Sequence, residues 1–208
     1  MAERRGGRPV PATDHEVRDE DWDGRTMTGE TFARVAFVDV DMTELADDGC
    51  TFEECTFRGV RFNASTHTNA AFLSCTFIRC SFFDARFVSC KLLGSTFDRC
   101  TFAPVRVEGG DWSFVDLAGA DLRRSQLRGA RMREADLVNV RAEDAVLRDL
   151  DLTGAVLTGA DLSGADLRGS DLSTLEPLAV RLAGAVVDVT QSVQLATALG
   201  LDVRPDER

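Results

Sequence analysis

The sequence predicts an all-β solenoid that ends in a short C-terminal α-helix. An apolar residue recurs at almost every fifth position from Trp22 to Val187, which makes 34 positions in one phase without an insertion. The register then stops, and apolar residues recur at helical spacing. A period of five fits neither the helical turn of about 3.6 residues nor the two-residue repeat of a strand. It fits a solenoid in which each five-residue side points one large residue inward and then turns a corner.

All six cysteines lie in one phase of this register, two residues before the large apolar residue. Such regular spacing is compatible with a metal site, a disulfide ladder, a redox site or simple packing. A zinc site usually needs closely spaced cysteine pairs combined with further pairs or with histidine, and neither histidine belongs to such a group. Because the same phase elsewhere holds mostly Ala, Ser and Val, we interpret the cysteines as small buried packing residues.

The 208 residues carry a formal net charge of −11. This acidity disfavours direct nucleic-acid binding through a basic surface and favours basic partners. No apolar run is long enough to span a bilayer, and the N-terminus lacks the apolar stretch of a secretory signal. We therefore expect a cytoplasmic protein without membrane contact, in which residues 1–19 form a disordered leader and residues 20–187 form the solenoid.

The segments AGADLRRSQL and GAVLTGADLSGADLRGSDL repeat the pattern A-(D/N)-L-x-x almost without variation. They resemble the pentapeptide-repeat proteins. This resemblance implies a right-handed quadrilateral parallel β-helix with four pentapeptides in each coil. Residues 20 positions apart then stack on one another.

Three register positions are not apolar, namely Asp47, His67 and Pro177. With 20 residues per coil, Asp47 and His67 point inward on the same side of successive coils. A buried charge needs a partner, so we expect an Asp–His hydrogen bond in the core, or a local bulge, rather than an acid–base catalyst. We find no nucleophile beside the pair, no metal cluster and no phosphate loop, and we predict a non-enzymatic protein without a cofactor.

Residues 188–203 are predicted to form a helix, and residues 204–208 a disordered tail. Asp188 or Thr190 can cap the N-terminus of the helix, and Gly200 can end it. Because such a short helix is unstable alone, its apolar face must pack on the last coil, on a second copy of the chain, or on both. The candidate contacts of a homodimer are Val189, Val193, Ala196, Leu199 and Leu201.

The tail GAVVDVTQSVQLATALGLDV also resembles the gyrase-inhibiting branch of the pentapeptide-repeat family, which includes the MfpA-like and Qnr fluoroquinolone-resistance proteins. This resemblance implies a head-to-head homodimer through the C-terminal helix. It also implies that the dimer binds DNA gyrase, a type II topoisomerase, in place of DNA. The projecting loops of the Qnr proteins have no counterpart, because the register leaves no room for insertions.

The charges are distributed unevenly along the predicted rod. Residues 20–54 have a net charge of −9, residues 55–133 of +6 and residues 134–187 of −6. A dimer joined at its C-terminal ends places two acidic segments side by side, where carboxylates can stand in for DNA phosphates. An aspartate before the central leucine is also generic to the repeat, so a purely structural role stays open. The candidate gyrase contacts are Asp136, Glu143, Asp144, Asp149, Asp151, Asp161, Asp166, Asp171 and Glu176.

A second candidate surface lies at the position after the central residue, which is expected to face outward. Five successive repeats hold an apolar side chain there, namely Leu73, Ile78, Phe83, Val88 and Leu93. They predict an apolar belt around little more than one coil, and exposed apolar patches often mark contacts. The belt supports the alternative function of an interaction scaffold for another protein. The other explanation is that these side chains lie flat against neighbouring coils.

Overall fold

A computed structural model describes residues 10–204. Within them, fifteen short strands precede one α-helix. No helix among the described residues is long and apolar enough to cross a membrane. The elements are β1 (His15–Arg18), β2 (Thr26–Thr28), β3 (Thr31–Ala33), β4 (Val35–Val38), β5 (Ala46–Asp48), β6 (Thr51–Glu53), β7 (Thr56–Arg58), β8 (Thr66–Thr68), β9 (Ala71–Leu73), β10 (Thr76–Ile78), β11 (Arg86–Val88), β12 (Thr96–Asp98), β13 (Arg106–Glu108), β14 (Gln126–Arg128), β15 (Val146–Arg148) and α1 (Val189–Ala198).

The strands form a parallel β-helix with 20 residues in each coil. Every pair of neighbouring strands is parallel and joins residues 20 positions apart, as His15 and Val35 are joined. In chain order, the first face holds β1-β4-β7-β10-β12, and the second face is built of isolated bridges such as Asp41↔Arg61. The third face holds the seven strands from β2 to β15, and the fourth holds β3-β6-β9. The predicted quadrilateral solenoid is confirmed.

Aromatic rings stack along the axis in the N-terminal half of the core. On the first face, the ring centroids of Phe37, Phe57, Phe77 and Phe97 follow one another at 4.9, 4.7 and 4.6 Å, with nearly parallel planes. This distance matches the strand spacing of about 4.8 Å, because each ring stands on the ring one coil away. Rings on adjacent faces meet edge to face, as Phe52 and Phe57 do at 5.6 Å. Both geometries are favourable for aromatic pairs.

The corners between faces use the left-handed backbone conformation. The residue two positions after the central residue has a positive φ at most corners, for example 51° at Glu134 and 76° at Gly169. Glycine adopts this conformation without strain, which explains its recurrence in the C-terminal repeats. At Gly169 a Cβ atom would lie 2.1 Å from Asp149 Oδ1, so this glycine also makes room for a carboxylate on the neighbouring coil.

The β-helix begins earlier than the sequence predicts. His15–Arg18 form β1, which pairs with β4, and the backbone N–H of Asp14 donates to Arg34 O at 2.7 Å. The prediction of a disordered leader over residues 1–19 is therefore wrong for this part. Although residues 15–18 are mostly polar, they form a strand, and its inward residue Val17 packs against the core. Residues 1–9 and residues 205–208 of the predicted tail lie outside the described residues.

The hydrogen-bond ladder of the first face opens at the last coil. The N–H of Leu137 donates to Val156 O at 2.9 Å, but among the described residues the N–H of Leu157 has no such partner one coil further on. Pro177 occupies the central position there, and its fixed φ and missing N–H disturb the strand. The next residue, Leu178, is 90% exposed. The last coil stays attached at the corner of this face, where the N–H of Gly159 donates to Ala179 O at 2.7 Å.

Candidate protein-binding site

The helix α1 packs on the last coil through Gln191 and Leu195, one turn apart. The buried side-chain amide of Gln191 donates to Leu167 O and Ser170 O, both at 2.7 Å. These carbonyls lie at the open end of the solenoid, where no further coil supplies donors. Gln191 also forms a capping box with Asp188, the N-cap residue. The helix therefore closes the edge through a polar side chain, and Leu195 adds an apolar contact with the core.

Of the predicted dimer residues, Val189, Val193 and Ala196 lie in this helix, whereas Leu199 and Leu201 follow its C-terminus. Because Gln191 and Leu195 occupy the side that faces the coil, the apolar side predicted from the spacing points away from it. The helix is also shorter than predicted, since it ends at Ala198 and Gly200 adopts a φ of 85°. Ala196 is half-buried, and the exposed fraction lies between 43% and 82% for Val189, Val193, Leu199 and Leu201.

The nine predicted acidic contacts do not form one surface. Several of them serve the fold: Asp166 Oδ1 accepts the backbone N–H of Arg168 at 3.3 Å, which closes a local turn. The Arg168 guanidinium, 2.7 Å from the other carboxylate oxygen, lowers the pKa of Asp166 to about 2. The nine residues are distributed as Asp136 and Glu176 on the first face, Glu143 and Asp161 on the second, Asp144, Asp149 and Asp166 on the third face and its corners, and Asp151 and Asp171 on the fourth.

Three of these carboxylates share a groove beside the N-terminus of α1. Asp149, Asp151 and Asp171 line this groove of about 510 Å³ together with Arg133, Asp188 and Gln194. Arg133 Nε pairs with Asp151 Oδ2 at 2.6 Å. Asp149 and Asp171 have no cationic partner among the described residues. The groove therefore combines two uncompensated carboxylates with a position next to the uncovered helix.

The predicted apolar belt does not form a continuous exposed surface. Ile78 is buried, because it lies in β10 between Arg58 and Asp98 of the neighbouring strands. Leu73, Val88 and Leu93 are half-buried, and Phe83 alone of the five is largely exposed, at 57%. The explanation that these side chains lie against neighbouring coils fits four of the five. The belt thus gives no support to the scaffold function.

The predicted Asp–His pair is present in the core of the third face. His67 Nδ1 contacts Asp47 Oδ2 on the neighbouring coil, and both side chains are at most 1% exposed. Ser65, which the sequence pattern did not reveal as a partner, places its Oγ 2.9 Å from His67 Nε2. Ser65 Oγ also donates to Phe62 O at 2.8 Å. Both ring nitrogens of His67 therefore have a polar partner inside the core.

The chain of contacts from serine through histidine to aspartate is the one found in a hydrolytic triad. Here the serine proton is directed at a backbone carbonyl, and Ser65, His67 and Asp47 are sealed inside the coil. The prediction that no nucleophile lies beside the pair is therefore wrong in the strict sense, since a hydroxyl is present. Its burial leaves no approach for a substrate, and we interpret the three residues as a polar element of the core.

The six cysteines are free, and five of them are buried, in agreement with a packing role. Their thiols also donate hydrogen bonds to backbone carbonyls, as Cys90 Sγ does to His67 O at 3.2 Å. The hydroxyl of Ser95, at an equivalent position of the repeat, donates in the same way to Phe72 O at 2.9 Å. Burial raises the pKa of the Cys90 thiol to about 12, which keeps it protonated and unreactive. Among the described residues, no group of His, Cys, Asp and Glu is arranged to hold a metal ion.

Comparisons with known proteins agree with this architecture. A family model for pentapeptide repeats matches residues 111–149 and 135–173, with eight copies. No curated protein sequence matches the chain. HetL from the cyanobacterium Nostoc sp., a pentapeptide-repeat protein involved in heterocyst differentiation regulation, is 17% identical with a TM-score of 0.55, over 84% of this chain and 86% of that chain. The full-length structure of QnrB1, a plasmid-mediated fluoroquinolone resistance protein, is 19% identical with a TM-score of 0.44, over 89% of this chain and 100% of that chain.

The likeness to HetL extends over most of both chains and shows the fold. The family model adds the sequence pattern of the repeat over residues 111–173. Coils of the same 20-residue length continue on both sides of this segment, from β1 to the bridge at Val186. Residues 111–173 therefore carry pentapeptide repeats, and the rest of the chain shares their coil length.

Proposed function

We propose that this protein is a non-enzymatic, dimeric binding protein that occupies the DNA-binding surface of DNA gyrase and thereby lowers sensitivity to fluoroquinolones. The observation that carries the proposal is the uncovered apolar side of α1. Val189, Val193 and Leu199 are exposed although the helix is already anchored through Gln191. A two-fold contact between copies would cover the same patch on both. The residues of this patch belong to the tail that resembles the gyrase-inhibiting branch of the family.

The charge of the C-terminal half supports the second part of the proposal. Residues 134–187 carry a net charge of −6, so a dimer joined through α1 has two such segments at its centre. Duplex DNA carries one charge per about 1.7 Å, so the dimer imitates only a short stretch of duplex. Within the predicted set we assign the principal contacts to Asp149 and Asp171, because they lie in the groove beside α1 and keep their charge uncompensated.

Exchanging the two groove carboxylates tests this assignment. In the variant with Asp149→Asn and Asp171→Asn, we expect the concentration that half-inhibits gyrase supercoiling to rise about tenfold, which corresponds to about 1.4 kcal/mol. Asparagine keeps the acceptor for the Ser173 N–H that Asp171 now binds at 2.9 Å, so the fold is preserved. Supercoiling of relaxed plasmid, followed on gels, provides the measurement.

The matched control is the variant with Asp161→Asn and Asp166→Asn. These carboxylates already pair with Arg181 at 3.3 Å and Arg168 at 2.7 Å, so their charge is neutralised and inhibition should change by less than about twofold. Equal losses in both variants would mean that net charge alone matters. Unchanged inhibition in the groove variant would remove Asp149 and Asp171 from the contact surface.

A further inference from the structure

The C-terminal half of the first face differs from the other faces in its charge. Its stacked segments contain carboxylates and apolar residues but no Lys or Arg. The segments are residues 115–120, 135–140, 155–160 and 175–180. We call the surface that they form the cation-free face, and we include in it the corner residues Phe114 and Glu134, which directly precede the first two segments.

Each of the other three faces of the same half contains arginines that pair with some of its aspartates. On the cation-free face, Glu134, Asp136 and Glu176 have no ion pair among the described residues. Within residues 10–204, Asp136 accepts one hydrogen bond, from the backbone N–H of Val138 at 3.0 Å, which leaves its second oxygen for a partner. The ion pairs elsewhere are Asp161–Arg181 at 3.3 Å on the second face, Asp166–Arg168 at 2.7 Å on the third and Asp151–Arg133 at 2.6 Å on the fourth.

Exposed apolar side chains alternate with these carboxylates. Val156 is bridged to Asp136 and is 48% exposed, and Leu178, on the next segment, is 90% exposed. Phe114 is 45% exposed and lies one coil from Glu134 at the corner of the face. Large apolar side chains are costly to leave in water and, when grouped, mark interaction surfaces. The cation-free face therefore combines apolar contact area with uncompensated negative charge, and Arg141 and Arg181 of the second face border it at Leu178.

The charge decides which occupant fits this surface. A second copy of the chain would bring carboxylates against carboxylates, and nucleic acids and anionic membranes are repelled for the same reason. A purely basic surface would leave the exposed phenylalanine, valine and leucine without partners. We propose that the cation-free face binds a cationic amphipathic segment of a protein partner, whose Lys or Arg residues pair with Glu134, Asp136 and Glu176 while its apolar residues cover Val156 and Leu178.

The dimensions of the face suit a short helix. Three steps of about 4.8 Å separate the first segment from the fourth, so the face is about 14 Å long. A helix with a rise of about 1.5 Å per residue covers this length in nine or ten residues, which places two or three apolar residues on one side. This contact lies apart from α1 and does not depend on the proposed binding to gyrase.

Fluorescence anisotropy with a designed probe tests the proposal. The probe is a fluorescein-labelled 14-residue amphipathic peptide of Lys and Leu, and the protein is the full chain. Relative to the unmodified protein, we expect about tenfold weaker binding for the variant with Asp136→Asn and Glu176→Gln, and a similar loss for the variant with Val156→Thr and Leu178→Ser. A 14-residue peptide of Lys and Gly should bind about tenfold more weakly than the amphipathic probe.

The control for non-specific attraction lies on the third face. The variant with Asp144→Asn and Val186→Thr removes one carboxylate and one exposed apolar side chain from there, and probe binding should stay within about twofold of the unmodified protein. Circular dichroism confirms that each variant is folded. Equal losses in the third-face variant, or equal binding of the Lys–Gly peptide, would show that the protein attracts the probe only through its net charge, and the proposal would be withdrawn.

Discussion

Replacing His67 alone with leucine is expected to destabilise the β-helix by about 3–5 kcal/mol, because it leaves the buried carboxylate of Asp47 without its partner. Folded domains are stable by only about 5–15 kcal/mol, so this single change would remove a large share of the total. Asp47 Oδ1 already lacks a hydrogen-bond partner among the described residues. The contact of Oδ2 with His67 is therefore what stabilises the buried carboxyl group. Denaturation by guanidinium, followed by circular dichroism, measures the loss.

The double variant with Asp47→Leu and His67→Phe distinguishes the loss of one partner of a buried polar pair from a general intolerance of substitution at these positions. Both positions lie in a column with Met27 and Phe87, and a phenylalanine at 67 would extend the ring stack that His67 now makes with Phe87 at 4.9 Å. Exchanging a whole buried pair for apolar residues is often neutral or stabilising by about 1–4 kcal/mol. A double variant less stable than the His67→Leu variant would contradict the account of this pair.

Introducing charge on the uncovered side of α1 is expected to abolish the dimer. Each copy of the variant with Val193→Asp and Leu199→Asp would bring two carboxylates into the apolar contact, and the two-fold symmetry doubles their number. Because burying an unpaired charge costs several kcal/mol, we expect dimer affinity to fall at least about 100-fold. Light scattering coupled to size-exclusion chromatography measures the mass directly, and the same samples enter the gyrase assay.

The control is a variant that adds a carboxylate to another side of the same helix. Gln194 is on the groove side of α1, so Gln194→Asp adds a carboxylate to the same helix outside the apolar patch, and the dimer should persist. Dimers that persist in the Val193→Asp, Leu199→Asp variant would show that α1 is only a cap. A monomeric variant that still inhibits gyrase at the original concentration would separate inhibition from dimerisation.

The repeat was predictable because each of its positions has one dominant physical requirement. The large apolar residue at the centre and the small residue two positions earlier can be recognised from their five-residue spacing. Asp47 and His67 stood out because they break this rule. Gln191 did not stand out. Its role depends on the carbonyls of Leu167 and Ser170, which are more than 20 residues away in sequence and meet it only at the end of the solenoid.

Surface patches were harder to predict than the core. The five predicted residues do not form a continuous exposed belt, because a residue after the centre can be covered by its neighbours on the adjacent strands, as Ile78 is between Arg58 and Asp98. The nine candidate acidic contacts lie on all four faces because the aspartates follow the repeat around the coil. The cation-free face can be recognised only when every fourth pentapeptide is compared, because its segments lie 20 residues apart in the sequence.

The central claim is that a dimeric rod competes with DNA on gyrase, and the most direct test is gyrase supercoiling with the purified protein at two salt concentrations. We predict inhibition at low micromolar dimer in about 50 mM salt and clearly weaker inhibition in about 200 mM salt, since the contacts replace DNA phosphates and are screened. No inhibition in either condition, or inhibition that does not change with salt, would contradict the claim.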